Sequence, residues 1–193
     1  LAAGVALLVK AEDVLKYLEM PELPSLEMVV PFILGWIVSM GATTASSISM
    51  EGKSLWIIKS MPVSARDWFT AKLMVTLVMA IPSILVTSTL IVIGLRPGLA
   101  DAIWIYVIPL IYAFTFGVFG LWLNIRMPRL DWRTEAEVVK QGAATMVCVF
   151  TGMGVGFAPA IVAGVTGSAL VAPILALVLV ALAIWMWRSL LSS

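Results

Sequence analysis

Charged residues divide this chain into long apolar blocks. Between Glu27 and Glu51 lie 23 residues without charge, between Lys72 and Arg96 another 23, and between Asp101 and Arg126 there are 24. A membrane-crossing helix needs about 20 apolar residues at about 1.5 Å of rise each, so each block predicts one crossing. From Lys140 to Arg188 there are 47 uncharged residues, enough for two crossings joined by a turn at Gly164-Val165-Thr166-Gly167-Ser168. The chain opens on nine uncharged residues, 1–9, with no basic segment or cleavage site of a signal peptide. They read as the stump of a span belonging to a longer protein. The blocks are continuous rather than alternating, which argues against a membrane barrel. The expectation is an all-α, polytopic transmembrane helical bundle forming a single domain over 1–193. Its five complete spans fall at 28–47, 70–95, 102–124, 141–163 and 168–187, with a truncated sixth at 1–9.

Composition agrees and narrows the chemistry. The chain is 62% hydrophobic and 12% charged, with a mean hydropathy of +1.08. A soluble domain carries about 25% charged residues, so there is too little polar surface here to cover a globule in water. Twelve basic against eleven acidic residues give no footprint for a nucleic-acid partner. With no histidine and one cysteine, Cys148, the chain has no His-containing metal site, no multi-Cys site and no intrachain disulfide. No cofactor is expected. Intramembrane proteolysis is disfavoured too, because a serine–histidine mechanism or an HExxH zinc site needs histidine. An aspartyl protease would need Asp within a span, and the uncharged blocks contain none.

Loop charge sets an orientation. One set of loops carries Lys10, Lys16 and Arg96. The other carries Lys53, Lys59, Arg66 and Lys72, then Arg126, Arg129, Arg133 and Lys140, then Arg188. The positive-inside rule puts this second set in the cytoplasm, with the C-terminus, making the chain a multi-pass protein of the cell membrane. Trp56, Trp68, Trp122, Trp185 and Trp187 fall near the inner boundaries and Trp104 near an outer one, as an aromatic belt would. Trp36 alone sits well within a span.

The first inner loop predicts a short interfacial helix around Leu55-Trp56-Ile57-Ile58, ended by Pro62. Ser64 then suits an N-cap with Asp67 at the third helical position, and Val63 and Trp68 have the spacing of a hydrophobic staple. Thr134 and Glu137 have capping-box spacing at the end of the second inner loop. From spacing alone, these loops could simply join spans.

The residues themselves carry a resemblance. Glu51-Gly52-Lys53, then Leu55-Trp56-Ile57-Ile58-Lys59-Ser60-Met61-Pro62-Val63-Ser64, then Lys72, resembles the inner loop of ABC transporter permeases of the type-2 exporter family. More particularly, it is similar to large bacterial members in which an E-G-K…W-x-x-K-x-x-P segment precedes a lysine opening the next span. The second loop is similar to the same group: Asn124, Pro128, Asp131, Trp132, Glu135 and Val138-Val139-Lys140-Gln141 follow its N-x-x-x-P-x-x-D-W…E…V-V-K-Q pattern. The resemblance covers about 46–141, roughly half the chain. It implies the membrane half of an ATP-driven exporter, with a separate ATP-binding subunit docked on the cytoplasmic loops and a second permease half or copy beside it. It also implies that residues 51–61 form the coupling element. Glu51, Gly52, Lys53, Leu55, Trp56, Ile58, Lys59 and Pro62 are then the partner-coupling residues, and Asp131, Trp132, Glu135 and Lys140 belong to the second loop. Within the coupling element, Leu55, Trp56 and Ile58 are the apolar anchors and Glu51, Lys53 and Lys59 the polar rim. The lack of charge in the bundle points toward hydrophobic or amphipathic cargo.

Other motifs carry less. Gly52-Lys53-Ser54 spells the end of a phosphate-binding loop, but the first glycine would fall at Ser47 and no strand precedes it, so ATP binds another chain. Gly152 and Gly156, with Ala160 a turn further on, predict a close helix–helix contact against other spans. Each complete span holds a proline: Pro31, Pro82, Pro109, Pro159 and Pro173. A kinked outer half acting as a gate would account for them, and so would the general frequency of proline in membrane helices. Thr43, Thr44, Ser46 and Ser47 either line an inner vestibule or bond their own backbone. Two rival classes stay open beside the exporter. An ion-coupled carrier usually keeps an ionisable residue in the bundle, and none lies in these blocks, although carbonyls at the proline breaks could bind sodium. An accessory or assembly membrane protein would need no ATPase at all.

Overall fold

The computed structural model describes residues 26–41, 43–52, 60, 62–128 and 142–192. Among these residues every regular element is helical. In chain order they are α1 (Leu26–Met40), α2 (Thr44–Glu51), α3 (Ala65–Leu95), α4 (Leu99–Arg126), α5 (Ala143–Thr166) and α6 (Val171–Leu191). Five segments are long and apolar enough to cross a membrane, the first running from Glu27 to Glu51 through both α1 and α2. The protein is a multi-pass membrane protein.

The connections follow local chemistry. Ser64 caps α3: its Oγ accepts from Asp67 N at 3.1 Å and donates to Asp67 Oδ2 at 2.6 Å. α3 ends on Arg96 in the left-handed region (φ 50°), and Pro97 and Gly98 turn the chain into α4. Gly167, also left-handed at φ 57°, closes α5 with its N–H on Ala163 O. The turn therefore falls three residues later than Gly164, where the apolar pattern alone would begin it.

α4 is the centre of the bundle, and each of the other helices packs on it. Its glycines explain how. A Cβ on Gly117 would stand 2.6 Å from Leu73 Cδ1 of α3, and one on Gly120 2.7 Å from Ala45 N of α2. Apolar side chains gain little by leaving hydrocarbon for a protein interior, so association in a membrane depends on such close approach and on interhelical hydrogen bonds. Outward faces are as apolar as the core; Val78 is 69% exposed and Leu177 73%. That is the surface a bilayer requires. Inside, one cluster gathers Phe32, Ile108, Tyr112, Phe116 and Leu179 with small alanines of α5 and α6. A second, at the end where α3 begins and α4 and α6 finish, gathers Ile48, Phe69, Leu73, Leu121 and Met186.

Two of the prolines have identifiable partners. Proline at position i removes the hydrogen bond normally given to the carbonyl at i−4. Pro109 frees Ile105 O, and Ser88 Oγ of α3 donates to it at 2.9 Å. Pro159 frees Val155 O, and Tyr112 Oη of α4 donates to it at 2.7 Å. Pro173 is the third residue of α6, where an N–H would have no helical acceptor in any case.

The first span departs from the sequence expectation. Residues 28–47 do not form one continuous helix that gives way to a loop. α1 stops at Met40, and α2 resumes at Thr44 and runs to Glu51 with Thr44, Ala45, Ser46, Ile48 and Ser49 buried. Gly41, a poor helix former, lies in the break. Asn124 of α4 holds the second piece in place. Its Oδ1 accepts from Ile48 N and Ser49 N at 2.9 and 2.8 Å. Its Nδ2 donates to Ala45 O at 2.5 Å and to Ser49 Oγ at 2.9 Å. Ala45 O and Ser49 N are an i, i+4 pair, so one side-chain amide bridges the two ends of a helical hydrogen bond.

Candidate functional site

The coupling segment leaves the bundle at the end of α2, and that exit is well defined. Glu51 is the last residue of α2, and Gly52 follows at φ 39°, ψ −109°, a positive-φ conformation that favours glycine. Gly52 is buried, and the chain turns out of the helix there. On the far side of the segment, Ser64 caps α3, which begins at Ala65.

Lys72 ties the two sides together. Its Nζ lies 2.6 Å from Glu51 Oε1 and donates to Ser47 O at 3.1 Å. It also stands 5.1 Å from the centre of the Trp68 ring. The pair is largely withdrawn from the surface, at 12% exposure for the lysine side chain and 27% for the glutamate. Glu51 Oε2 is buried without a partner among the described residues. An ion pair in so sheltered a place is stabilising only as a pair, because removing either member leaves the other charge poorly compensated. Glu51 was expected on the rim of a docking surface. In the structure it fastens α2 to α3 through Lys72, at the end of the helix that continues through Ser46–Glu51. Pro62 is exposed, as a loop residue would be.

Aromatic and basic side chains collect at this same end. Arg126 lies over the Trp122 ring at 3.7 Å and donates to Ser189 Oγ at 3.2 Å. Trp122 and Trp185 pack with ring centres 5.9 Å apart, and Trp68, Trp122 and Trp187 border the Ile48 cluster. Trp104 lies against the other core cluster, toward the start of α4. Tryptophans gathered at one end beside Lys72, Arg126 and Arg188 are the composition of a membrane–water boundary.

Lys53, Leu55, Trp56, Ile58 and Lys59 lie outside the described residues, as do Asp131, Trp132, Glu135 and Lys140 of the second loop. The proposed capping pair Thr134 and Glu137 lies outside them too. Gly152 and Gly156 are described and buried. A Cβ on Gly156 would come within 2.5 Å of Trp36 Cβ, and one on Gly152 would collide with Ser39 Oγ. The glycines of α5 thus admit α1, and Trp36 reaches past the contact to pack on Phe157 at 4.6 Å. Of the small hydroxyl residues, Ser46 and Ser47 bond back to Thr43 O and Thr44 O. Thr43 Oγ1 pairs with Thr76 Oγ1 of α3 at 2.8 Å. Asn124 is the residue whose structural weight the sequence analysis missed. A lone amide in a block otherwise without strong polar groups was the available signal.

Among the described residues no cluster of carboxylates and thiols is large enough to hold a metal ion. Compared with family models, with curated proteins and with solved structures, the chain finds no match.

Proposed function

We propose that this protein is the membrane-spanning permease subunit of an ATP-driven exporter. A separate ATP-binding subunit powers it and docks on the segment 51–61. The cargo is hydrophobic or amphipathic. The loops rich in lysine and arginine face the cytoplasm, and a second permease half or copy completes the translocation path.

The Glu51–Lys72 pair is the observation that carries this reading. Both residues belong to the motif whose resemblance suggested the family, and they are 2.6 Å apart at the base of the intervening segment. A docking element transmits force only if its two ends are anchored. Here Glu51 and Asn124 secure the incoming side, and the Ser64 cap with Lys72 secures the outgoing side. The rim role falls to Lys53 and Lys59, while Leu55, Trp56 and Ile58 supply the apolar anchors. Motion of the bound ATPase would pass through α2 and α3 into α4, against which both pack.

The test is co-purification with an ATP-binding subunit, sought first among the products of neighbouring genes. Truncating a buried interface anchor typically costs about 2 kcal/mol or more, roughly thirtyfold in affinity. Trp56→Ala should release the ATPase and abolish its permease-dependent ATP hydrolysis, while Lys59→Ala should be mild. Full retention of the ATPase by Trp56→Ala would remove the docking site from consideration and leave Trp56 as a membrane anchor.

A further inference from the structure

Between α1, α3 and α4 the bundle leaves a cavity of about 340 Å³. Small side chains create it: Ala80, Ser83 and Thr87 of α3 face Pro109 and Ala113 of α4. Its walls are aliphatic, and two of the wall residues, Ile37 of α1 and Met79 of α3, are 55% and 67% exposed. The cavity therefore opens sideways, into the hydrocarbon that surrounds the bundle. Along α3 it extends from Thr76 to Ser88, or about 18 Å at the helical rise. One leaflet contributes about 15 Å to the hydrocarbon core, so the cavity has the length of a single acyl chain.

The polar groups define the ligand further. Among the described residues no ionisable side chain lines the cavity, and a charge placed there would be buried without compensation. Ser83 Oγ donates to Met79 O and Ser88 Oγ to Ile105 O, so neither has a hydrogen to offer. Thr87, near the Ser88 end, has no hydrogen bond among the described residues, but the Thr43–Thr76 pair differs in lying at the end where the charged residues begin. Two hydroxyls bonded to each other use one hydrogen between them and leave the second to donate. That donor sits at one end of the cavity, one helical turn from Lys72, where the uncharged block begins.

We propose that this cavity binds one acyl chain of a bilayer phospholipid, with the ester carbonyl at the Thr43–Thr76 pair and the tail running toward Ser88. The site uses none of the residues assigned to ATPase docking, and it stands whether or not an ATPase binds.

The chain is reconstituted in phosphatidylglycerol vesicles containing a trace of phospholipid with a photoactivatable diazirine in one acyl chain, and crosslinked residues are mapped by mass spectrometry. Met79, Ala80 and Ser83 should be labelled several-fold more than Leu177, an exposed residue of α6 outside the cavity. Ala80→Phe should fill the cavity and remove that excess while labelling of Leu177 persists. Ser83→Leu, at an exposed position, should do the same with less risk to folding. Equal labelling of Met79 and Leu177 in the unaltered protein would overturn the proposal, as would an excess that survives both substitutions. A disulfide between cysteines placed at Ala6 and Met79 in a Cys148→Ser background, with the cavity unlabelled, would also overturn it by giving the space to the chain's own N-terminal segment.

Discussion

Tyr112 Oη donates at 2.7 Å to Val155 O, the carbonyl that Pro159 deprives of its helical partner. The carbonyl that Pro159 frees in α5 is thereby satisfied from α4. Tyr112→Phe should destabilise the protein by about 1 kcal/mol, within the range measured for interhelical hydrogen bonds in membranes. The informative comparison is Pro159→Ala, which restores an N–H for Val155 O. In that background Tyr112→Phe should cost almost nothing. Thermal unfolding of the four proteins in one detergent gives the coupling, and an equal cost in both backgrounds would show that the hydroxyl serves another purpose.

Gly156 and Gly154 provide a matched pair on one helix. A Cβ at 156 meets Trp36 at 2.5 Å, whereas one at 154 meets nothing within 4 Å. Gly156→Leu should force α1 from α5, with the cost of about 1–3 kcal/mol typical of overpacking. Gly154→Leu should be harmless or slightly stabilising, because leucine is the better helix former. The monodisperse fraction on size exclusion after mild heating separates the two. Comparable losses would mean that the contact does not govern stability.

These cases show what the sequence could and could not reveal. Apolar blocks between charges located five spans because a bilayer excludes charge over a fixed thickness. The blocks did not locate helix ends. Capping chemistry did locate one: Ser64, read as an N-cap with Asp67 at the third helical position, starts α3 at Ala65, five residues ahead of the apolar span, because a helix continues into the polar layer wherever caps and ion pairs support it. The continuation of helix beyond 47 to Glu51 was illegible because it is held by Asn124, some 75 residues away. Pro159 announced a freed carbonyl, but nothing local named Tyr112 as the group that would meet it. The Gly152 and Gly156 spacing did signal a close contact, since small residues four apart on one face of a membrane helix have few other uses.

Glu51 and Lys72 should behave as a unit. Glu51→Gln keeps a hydrogen-bonding side chain but leaves the ammonium with Ser47 O and the Trp68 ring as its partners. Lys72→Gln leaves the carboxylate uncompensated. In a double-mutant cycle the pair should show a coupling of about 0.5–3 kcal/mol, as contacting residues do. The coupling should change little between low and high salt, because sheltered pairs are screened far less than exposed ones. A coupling that vanishes in high salt would make this an ordinary surface pair and would weaken its role as the base of the docking segment.

Orientation is open to a direct measurement because the chain has a single cysteine, Cys148, which is buried. Cys148→Ser gives a background in which one reporter can be placed at will, and small-to-small replacement at this position should leave the fold intact. By their order along the sequence, nine of the twelve basic residues fall between or beside spans on one side, a bias that orients membrane proteins with that side in the cytoplasm. A cysteine replacing Ser54 should then resist an impermeant maleimide in intact cells and react once the membrane is permeabilised. A cysteine replacing Gly98, between α3 and α4, should react in intact cells. The two reporters control for each other, since Gly98 tests reagent access while Ser54 tests its exclusion. Labelling at Ser54 with protection at Gly98 would invert the topology, place the segment 51–61 outside the cell, and make an ATP-driven partner on that segment impossible.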